Sequence, residues 1–225
     1  MAQRIVILGA PGAGKGTQAQ RLAERYSWPH ISTGDIFRAH ETQSALGRKI
    51  EEYLRTGHLV PDDMACQAVA NRLSRPDCER GYVLDGFPRS IPQAEEFDRL
   101  LEKRGESLTA VIDIHVGDDE IVSRVTARRS CPACGAIYNL KFQPPRRDGI
   151  CDNASCGGAG LVQREDDQES TIRERLRVYH ETTEPIIDFY RREGLLTIID
   201  GVGKPADEVA SDIDAVLEVA PEVTG

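Results

Sequence analysis

The feature that most constrains this chain is the stretch Gly9-Ala10-Pro11-Gly12-Ala13-Gly14-Lys15-Gly16-Thr17. It follows the aliphatic run Arg4-Ile5-Val6-Ile7-Leu8 and precedes a helical pattern over residues 18–26. A strand, a glycine-rich turn and a helix, in that order, are the context of a phosphate-binding loop. The glycines let successive backbone N–H groups face inward on an anion, and the helix N-terminus adds partial positive charge. Lys15 adds a mobile cation for the outer phosphates. Such loops place Ser or Thr directly after the lysine, but here Gly16 precedes Thr17. The hydroxyl ligand for Mg²⁺ is therefore missing or shifted by one residue. Water and the nucleotide's own phosphates are left to hold the metal.

The rest of the chain alternates between two periodicities. Apolar runs at residues 29–32, 82–85, 108–116 and 195–201 predict strands. Helices are expected at 45–56, with Leu46, Ile50, Tyr53 and Leu54 on one stripe and Gly57 as its stop, and at 93–103 and 205–217. Another starts at Pro61 and carries Ala65, Val69 and Leu73. Ser32 or Thr33 caps a short helix reaching about residue 39. A further helix opens on Asp118-Asp119-Glu120 and closes with Arg124, Arg128 and Arg129, matching its dipole at both ends. Strands alternating with helices predict an α/β fold on a parallel sheet, and 225 residues suffice for one core with insertions. Asp85 ends an apolar run just before Gly86-Phe87-Pro88-Arg89. It is either an acid that orders Mg²⁺ through water beside the phosphate loop, or a strand-ending acid in a turn.

Charge and cysteines narrow the function classes. A net charge of −9 argues against a nucleic-acid partner, although local arginines can still bind anions. No apolar run approaches the ~20 residues that span a bilayer, and no signal-peptide layout is visible, so a soluble cytoplasmic protein is expected. Cys131, Cys134, Cys151 and Cys156 fall in an irregular insertion between Arg129 and Arg164, spaced C-x2-C, sixteen residues, C-x4-C. In a reducing compartment this pattern reads as metal rather than disulfide. Four thiolates would close a tetrahedral zinc sphere, leaving a structural role. The alternative is four incidental thiols. Cys66 and Cys78 have no partner motif. Arg38, Arg89, Arg124, Arg128, Arg164 and Arg175 recur near turns and helix ends. Singly, each reads as a solvated charge. A chain with a phosphate loop has a use for several planar cations.

GAPGAGKGT at 9–17, STGD at 32–35, DGFPR at 85–89 and REDDQE at 164–169 closely resemble, in order and spacing, the adenylate kinase family in its bacterial-type, long-lid form. The resemblance covers essentially the whole chain. It implies a P-loop NTPase-type parallel sheet flanked by helices, formed by residues 1–31, 62–126 and 165–225. A helical AMP-binding insert would span 32–61, and a zinc-binding lid 127–164. The implied reaction moves the terminal phosphoryl of MgATP to AMP, giving two ADP. The matching ATP positions are Gly12, Ala13, Gly14, Lys15, Gly16, Thr17, Arg124, Arg128, Tyr138, Asn139 and Gly203. Those for AMP are Thr33, Arg38, Leu59, Val60, Gly86, Phe87, Pro88, Arg89, Gln93, Arg164 and Arg175. Gln93 would read the adenine edge, because an amide pairs a donor with an acceptor. Lys15, Arg89, Arg128, Arg164 and Arg175 would neutralise the transferring group. Asp85 would order hydrated Mg²⁺, with Asp166 and Asp167 tied into the same region. Cys131, Cys134, Cys151 and Cys156 match the zinc ligands. The implied cofactors are Mg²⁺ and structural Zn²⁺, the partners ATP, AMP and ADP, and the expected state a monomer.

Two departures stand out. Asn139 replaces a histidine common in the family, and the longer loop at 201–204 lets either Gly203 or Lys204 read the ATP adenine. Three rival readings are a kinase with a UMP or CMP acceptor, a zinc-knuckle nucleic-acid module, and a nucleotide-binding regulator. Gln93 with the long lid, the acidic charge, and the full arginine set argue against them in turn.

Overall fold

A computed structural model describes residues 2–38 and 45–219. Residues 39–44 of the 32–61 insert, and the Leu46 side chain expected on a helix stripe, lie outside the described residues. The strands are β1 (Gln3–Leu8), β2 (His30–Ser32), β3 (Gly81–Asp85), β4 (Ala110–His115), β5 (Arg128–Ser130), β6 (Ile137–Asn139) and β7 (Leu196–Asp200). Five of them form one parallel sheet in the order β2-β3-β1-β4-β7, while β5 and β6 pair antiparallel elsewhere. Central β1 is covered on both faces. Ile5 and Ile7 enter one apolar cluster, Val6 and Leu8 the other. A strand buried on both sides reads as an unbroken aliphatic run, as this one does.

The helices are α1 (Lys15–Tyr26), α2 (Thr33–Arg38), α3 (Ala45–Thr56), α4 (Asp62–Leu73), α5 (Ile91–Lys103), α6 (Asp118–Thr126), α7 (Glu169–Val178), α8 (Pro185–Arg192) and α9 (Ala206–Val219). On α4 the expected stripe of Ala65, Val69 and Leu73 is buried. Ser32, not Thr33, caps α2, its Oγ accepting the Asp35 N–H at 3.3 Å. Gly57 closes α3 with φ +82°, and a Cβ there would lie 2.8 Å from Arg175 Cγ. This glycine therefore lets the end of α3 approach α7 closely. None of the helices among the described residues is long and apolar enough to cross a membrane.

Two expectations are corrected. Helix α1 begins at Lys15 rather than residue 18, which puts the lysine in the first turn. Helix α6 ends at Thr126, so Arg128 and Arg129 are not its last turn. They lie on β5, with Arg128 opposite Asn139 and the strand continued by Ser130 N–H donating to Val162 O at 2.8 Å. The span after residue 168, for which the sequence reading names no element, is largely helical. Helices α7 and α8 are joined by a π-turn over Tyr179–Thr183, where Glu184 N–H donates to Tyr179 O at 2.9 Å. Pro185 has no N–H to continue the ordinary ladder, and a wider turn accommodates it.

Asp113, facing Leu8 in the middle of the sheet, is 2% exposed and its Oδ1 has no partner. Burial raises its pKa, against the pull of His115 and Lys15. A raised carboxyl pKa means the folded state holds the proton more tightly, so stability falls as pH rises above the unfolded value near 3.8. Asp113→Asn is expected to raise stability at pH 7 by about 1–2 kcal/mol, with the gain shrinking towards pH 4. Thermal melts across that range check it; equal melting of variant and parent at pH 7 would refute the burial cost.

Candidate active site

The chain leaves β1 on one side towards β2 and β3 and later returns on the other side as β4. This reversal opens a crevice beyond the carboxyl ends of the strands, the usual ligand position in open α/β sheets. The glycine loop lies there. Gly9, Gly12 and Gly14 have φ of +137°, +93° and +104°. A Cβ on Gly12 would come within 2.3 Å of Val125, and one on Gly9 within 2.6 Å of Ile114 O. These two glycines serve both backbone conformation and close packing.

Lys15 stands half-buried at the start of α1, its Nζ donating to Gly9 O at 2.8 Å and Ala10 O at 2.9 Å. Burial pushes its pKa down to about 8; Asp85 resists, while Arg89 and Arg175 add to the fall. Asp85, at the end of β3, has Oδ2 3.6 Å from His30 Nε2. Burial works to raise its pKa, but His30, Lys15 and Arg89 outweigh it and hold the carboxyl below its ordinary value. A Cβ on Gly16 would lie 3.3 Å from Asp85 Oδ2. The missing hydroxyl after Lys15 thus leaves clear space at a carboxylate held ionised, which fits a hydrated divalent cation.

Two clefts meet here. One, of about 500 Å³, is lined by Gly9, Pro11, Lys15, Pro88, Arg89 and Arg175 among others. The second, of about 370 Å³, is lined by Thr33, Leu59, Val60, Gly86, Phe87, Arg89 and Gln93 among others. Leu59, Gly86 and Arg89 belong to both. Thr33 Oγ1 and Arg89 Nε both donate to Gly86 O, at 2.7 and 2.6 Å. The π-turn fixes the far side, with Thr183 Oγ1 donating to Arg89 O at 2.8 Å. Arg89 has its pKa lowered to about 10 by burial, with Arg175 and Arg38 adding to the fall. Arg175 is lowered by burial, and by Arg128 and Arg38, despite Asp166 and Asp167. Arg164 is lowered by burial, then by Arg38 and Arg128. These cations depress one another because they outnumber the nearby acids, and such a crowd is relieved by an anion. Arg128 differs. Burial would lower its pKa, but the Asp167 carboxylate raises it through two hydrogen bonds, one of them Nε to Oδ2 at 2.9 Å. Arg175 Nη1 donates to Asp166 Oδ2 at 2.9 Å. Arg38 is exposed and pairs with Asp35 at 2.7 Å.

On the other flank, Arg124 donates to Gly201 O at 2.9 Å and to Glu120, while Gly203 N–H reaches both Glu120 carboxylate oxygens at 3.2 Å. Glu120 is thus a site residue the sequence reading missed. In sequence it is one of three acids in a first turn, and only the fold brings Gly203 to it. Asn139 is committed to backbone: Nδ2 donates to Arg124 O at 2.9 Å, and Oδ1 accepts from Lys141 and Phe142 N–H. Tyr138 is buried, its hydroxyl 3.4 Å from Cys151 Sγ and accepting the Asp152 N–H at 2.7 Å.

The four insertion cysteines converge, with all Sγ atoms within 4.8 Å of one another. Cys131 and Cys156 are 3.8 Å apart, as are Cys134 and Cys151. Thiolates about 2.3 Å from a tetrahedral zinc are separated by about 3.8 Å, so the cluster has the dimensions of such a site. Cys156, at the end of the longer second knuckle, joins it, while Cys66 and Cys78 stay apart on the sheet side of the molecule.

A family model described as adenylate kinase matches residues 7–195. Among curated relatives, the adenylate kinase of Caldanaerobacter subterraneus subsp. tengcongensis is 49% identical, covering 95% of this chain and 96% of its own length. The adenylate kinase of Archaeoglobus fulgidus is 49% identical over 95% and 97% of the two chains. That of Agathobacter rectalis is 50% identical over 95% and 99%. With its phosphate loop, its surplus of cations and its paired clefts already in place, the chain belongs to the adenylate kinase family.

Proposed function

We propose that this adenylate kinase transfers the terminal phosphoryl of ATP reversibly to AMP, giving two ADP, with ATP over the glycine loop and AMP in the cleft of Thr33, Val60 and Gln93. The carrying observation is the cation cluster of Lys15, Arg89 and Arg175 at the junction of two clefts that share Arg89. An AMP phosphate oxygen attacks the γ-phosphorus as the bond to the β–γ bridging oxygen breaks. The acceptor phosphate is already a nucleophile, so no general base is required. Catalysis is positioning and charge neutralisation in a site closed to water. Lys15, Arg89, Arg128, Arg164 and Arg175 neutralise the spread charge. Asp85, with the space at Gly16, would hold hydrated Mg²⁺, which would supply screening of the phosphate charge.

The remaining assignments follow the same reading. Residues 32–61 form the AMP-binding insert and 127–164 a lid, moving against a core of 1–31, 62–126 and 165–225. Residues 12–17, with Arg124 and the 201–204 loop, bind ATP. Gln93 reads the acceptor base. Cys131, Cys134, Cys151 and Cys156 bind structural zinc, which suits a reducing cytoplasm, and both clefts come from one chain, which suits a monomer. The test is ADP formation from MgATP with AMP, GMP, CMP, UMP or no acceptor. Turnover with AMP is expected to exceed every other case by about a hundredfold or more. Faster transfer to a pyrimidine monophosphate would move the specificity, and none to any acceptor would leave a binding protein.

A further inference from the structure

Gln93 is 2% exposed, in the first turn of α5, and both ends of its amide are engaged. Its Oε1 accepts the Arg89 backbone N–H at 2.7 Å. Its Nε2 donates to Asp62 Oδ1 at 2.7 Å. Asp62 opens α4, which packs against α5, and does not line the cleft itself. We propose that Asp62 is a specificity-determining positioning residue. With the Arg89 N–H it locks the Gln93 amide in one orientation, so that the acceptor site takes a 6-aminopurine and rejects a 6-oxopurine. This rests on the reading of Gln93 as the base contact.

An amide can ordinarily exchange its oxygen and nitrogen by turning through half a rotation, so a glutamine alone discriminates poorly. It can face adenine with one orientation and hypoxanthine or guanine with the other. Adenine offers N1 as acceptor and the 6-amino group as donor. A 6-oxopurine offers the reverse, N1–H and O6. Here the turn is opposed at both ends. A turned amide would set its oxygen against the Asp62 carboxylate, acceptor against acceptor. It would set its NH₂ against the Arg89 N–H, donor against donor. A backbone N–H cannot become an acceptor, and an ionised carboxylate cannot become a donor. In the orientation observed, Nε2 keeps one further hydrogen and Oε1 one further lone pair, the pair that N1 and the 6-amino group require.

The test compares AMP with inosine monophosphate, which differs from it only at position 6 and in the N1 proton, so no added 2-amino group confuses the result. Asp62→Asn keeps the shape, but its own amide can turn to serve either orientation of Gln93, which releases one end of the lock. The ratio of kcat/KM for inosine monophosphate to that for AMP is expected to rise about tenfold, through the acceptor KM, with the KM for MgATP unchanged. Calorimetric binding of the two monophosphates should show the same shift without turnover. Equal loss for both acceptors, or an unchanged ratio, would overturn the lock. Gln93→Ala separates the two layers. If it leaves the AMP KM and the ratio unchanged, Gln93 is not the base contact and the proposal falls with that reading. If it impairs AMP while Asp62→Asn leaves the ratio unchanged, the base contact stands and the lock alone is refuted.

Discussion

Lys15→Met is expected to lower kcat by about 10²–10³-fold, on the scale of removing one preorganised charge-stabilising donor, while the melting temperature moves little. The two halves of this expectation have separate causes. Without phosphate, Nζ is held by Gly9 O and Ala10 O of its own loop. Losing those bonds costs stability, but losing a cation whose pKa burial has pushed down to about 8 returns stability of the same order. In the transition state there is no such compensation, because charge spread over the transferring group has lost its nearest mobile partner. The pH profile adds an independent check. The dependence of kcat/KM reports ionisations of the free enzyme, so its basic limb should fall near pH 8 and disappear in Lys15→Met. Arg89→Ala should fail differently, because Arg89 lines both clefts: the KM values for ATP and AMP should both rise. A Lys15→Met enzyme that keeps most of its kcat would remove the lysine from the chemistry.

What could be read from the chain alone follows a physical divide. The glycine loop was legible because its requirements are local: φ above zero, no Cβ, a lysine one position on. β1 was legible because burial on both faces leaves a continuous aliphatic run, and α4 because its stripe repeats every fourth residue. Arg128 was misplaced at a helix end because its true partners are distant. Its strand exists through the pairing with β6 and the bridge from Ser130 to Val162, thirty-two positions later. The π-turn was invisible because Pro185 signals an interruption without saying how the chain goes round it. Glu120 and Asp62 were hidden for another reason. Acids in the first turn of a helix already have a sufficient explanation in the dipole, and neither Gly203 nor Gln93 is near them in sequence. The arginines needed the resemblance to single them out, since spacing alone offered six ordinary surface charges.

Removing the proposed metal should unfold the 127–164 segment and leave the sheet standing. The segment has almost no apolar interior of its own. Its one apolar cluster is Cys131, Tyr138 and Cys151, backed by Ala136, Cys156, Ala159 and Leu161; Ala127, Ser130 and Pro145 are buried outside it, while Ile137, Leu140, Phe142 and Val162 face outward. Two three-residue strands and a few isolated bridges cannot offset the entropy of ordering such a loop. Structural zinc contributes about 10–16 kcal/mol of apparent binding energy in small metal modules, enough to decide whether this one folds. The core clusters on either face of the sheet contain none of the four cysteines, so they should not notice the loss. Treatment with a chelator and a thiol-modifying reagent should therefore release one metal ion, abolish amide-exchange protection through β5 and β6, and leave protection of β1, β3 and β4 intact. Activity should fall with the segment, because Arg128 sits on β5 only three residues before Cys131 and its pairing with Asp167 presupposes that strand. Cys131→Ser should reproduce the effect without a chelator. Equal melting of both parts with no metal released would leave the cysteines as free thiols, and the segment would need another source of order that its sequence does not contain.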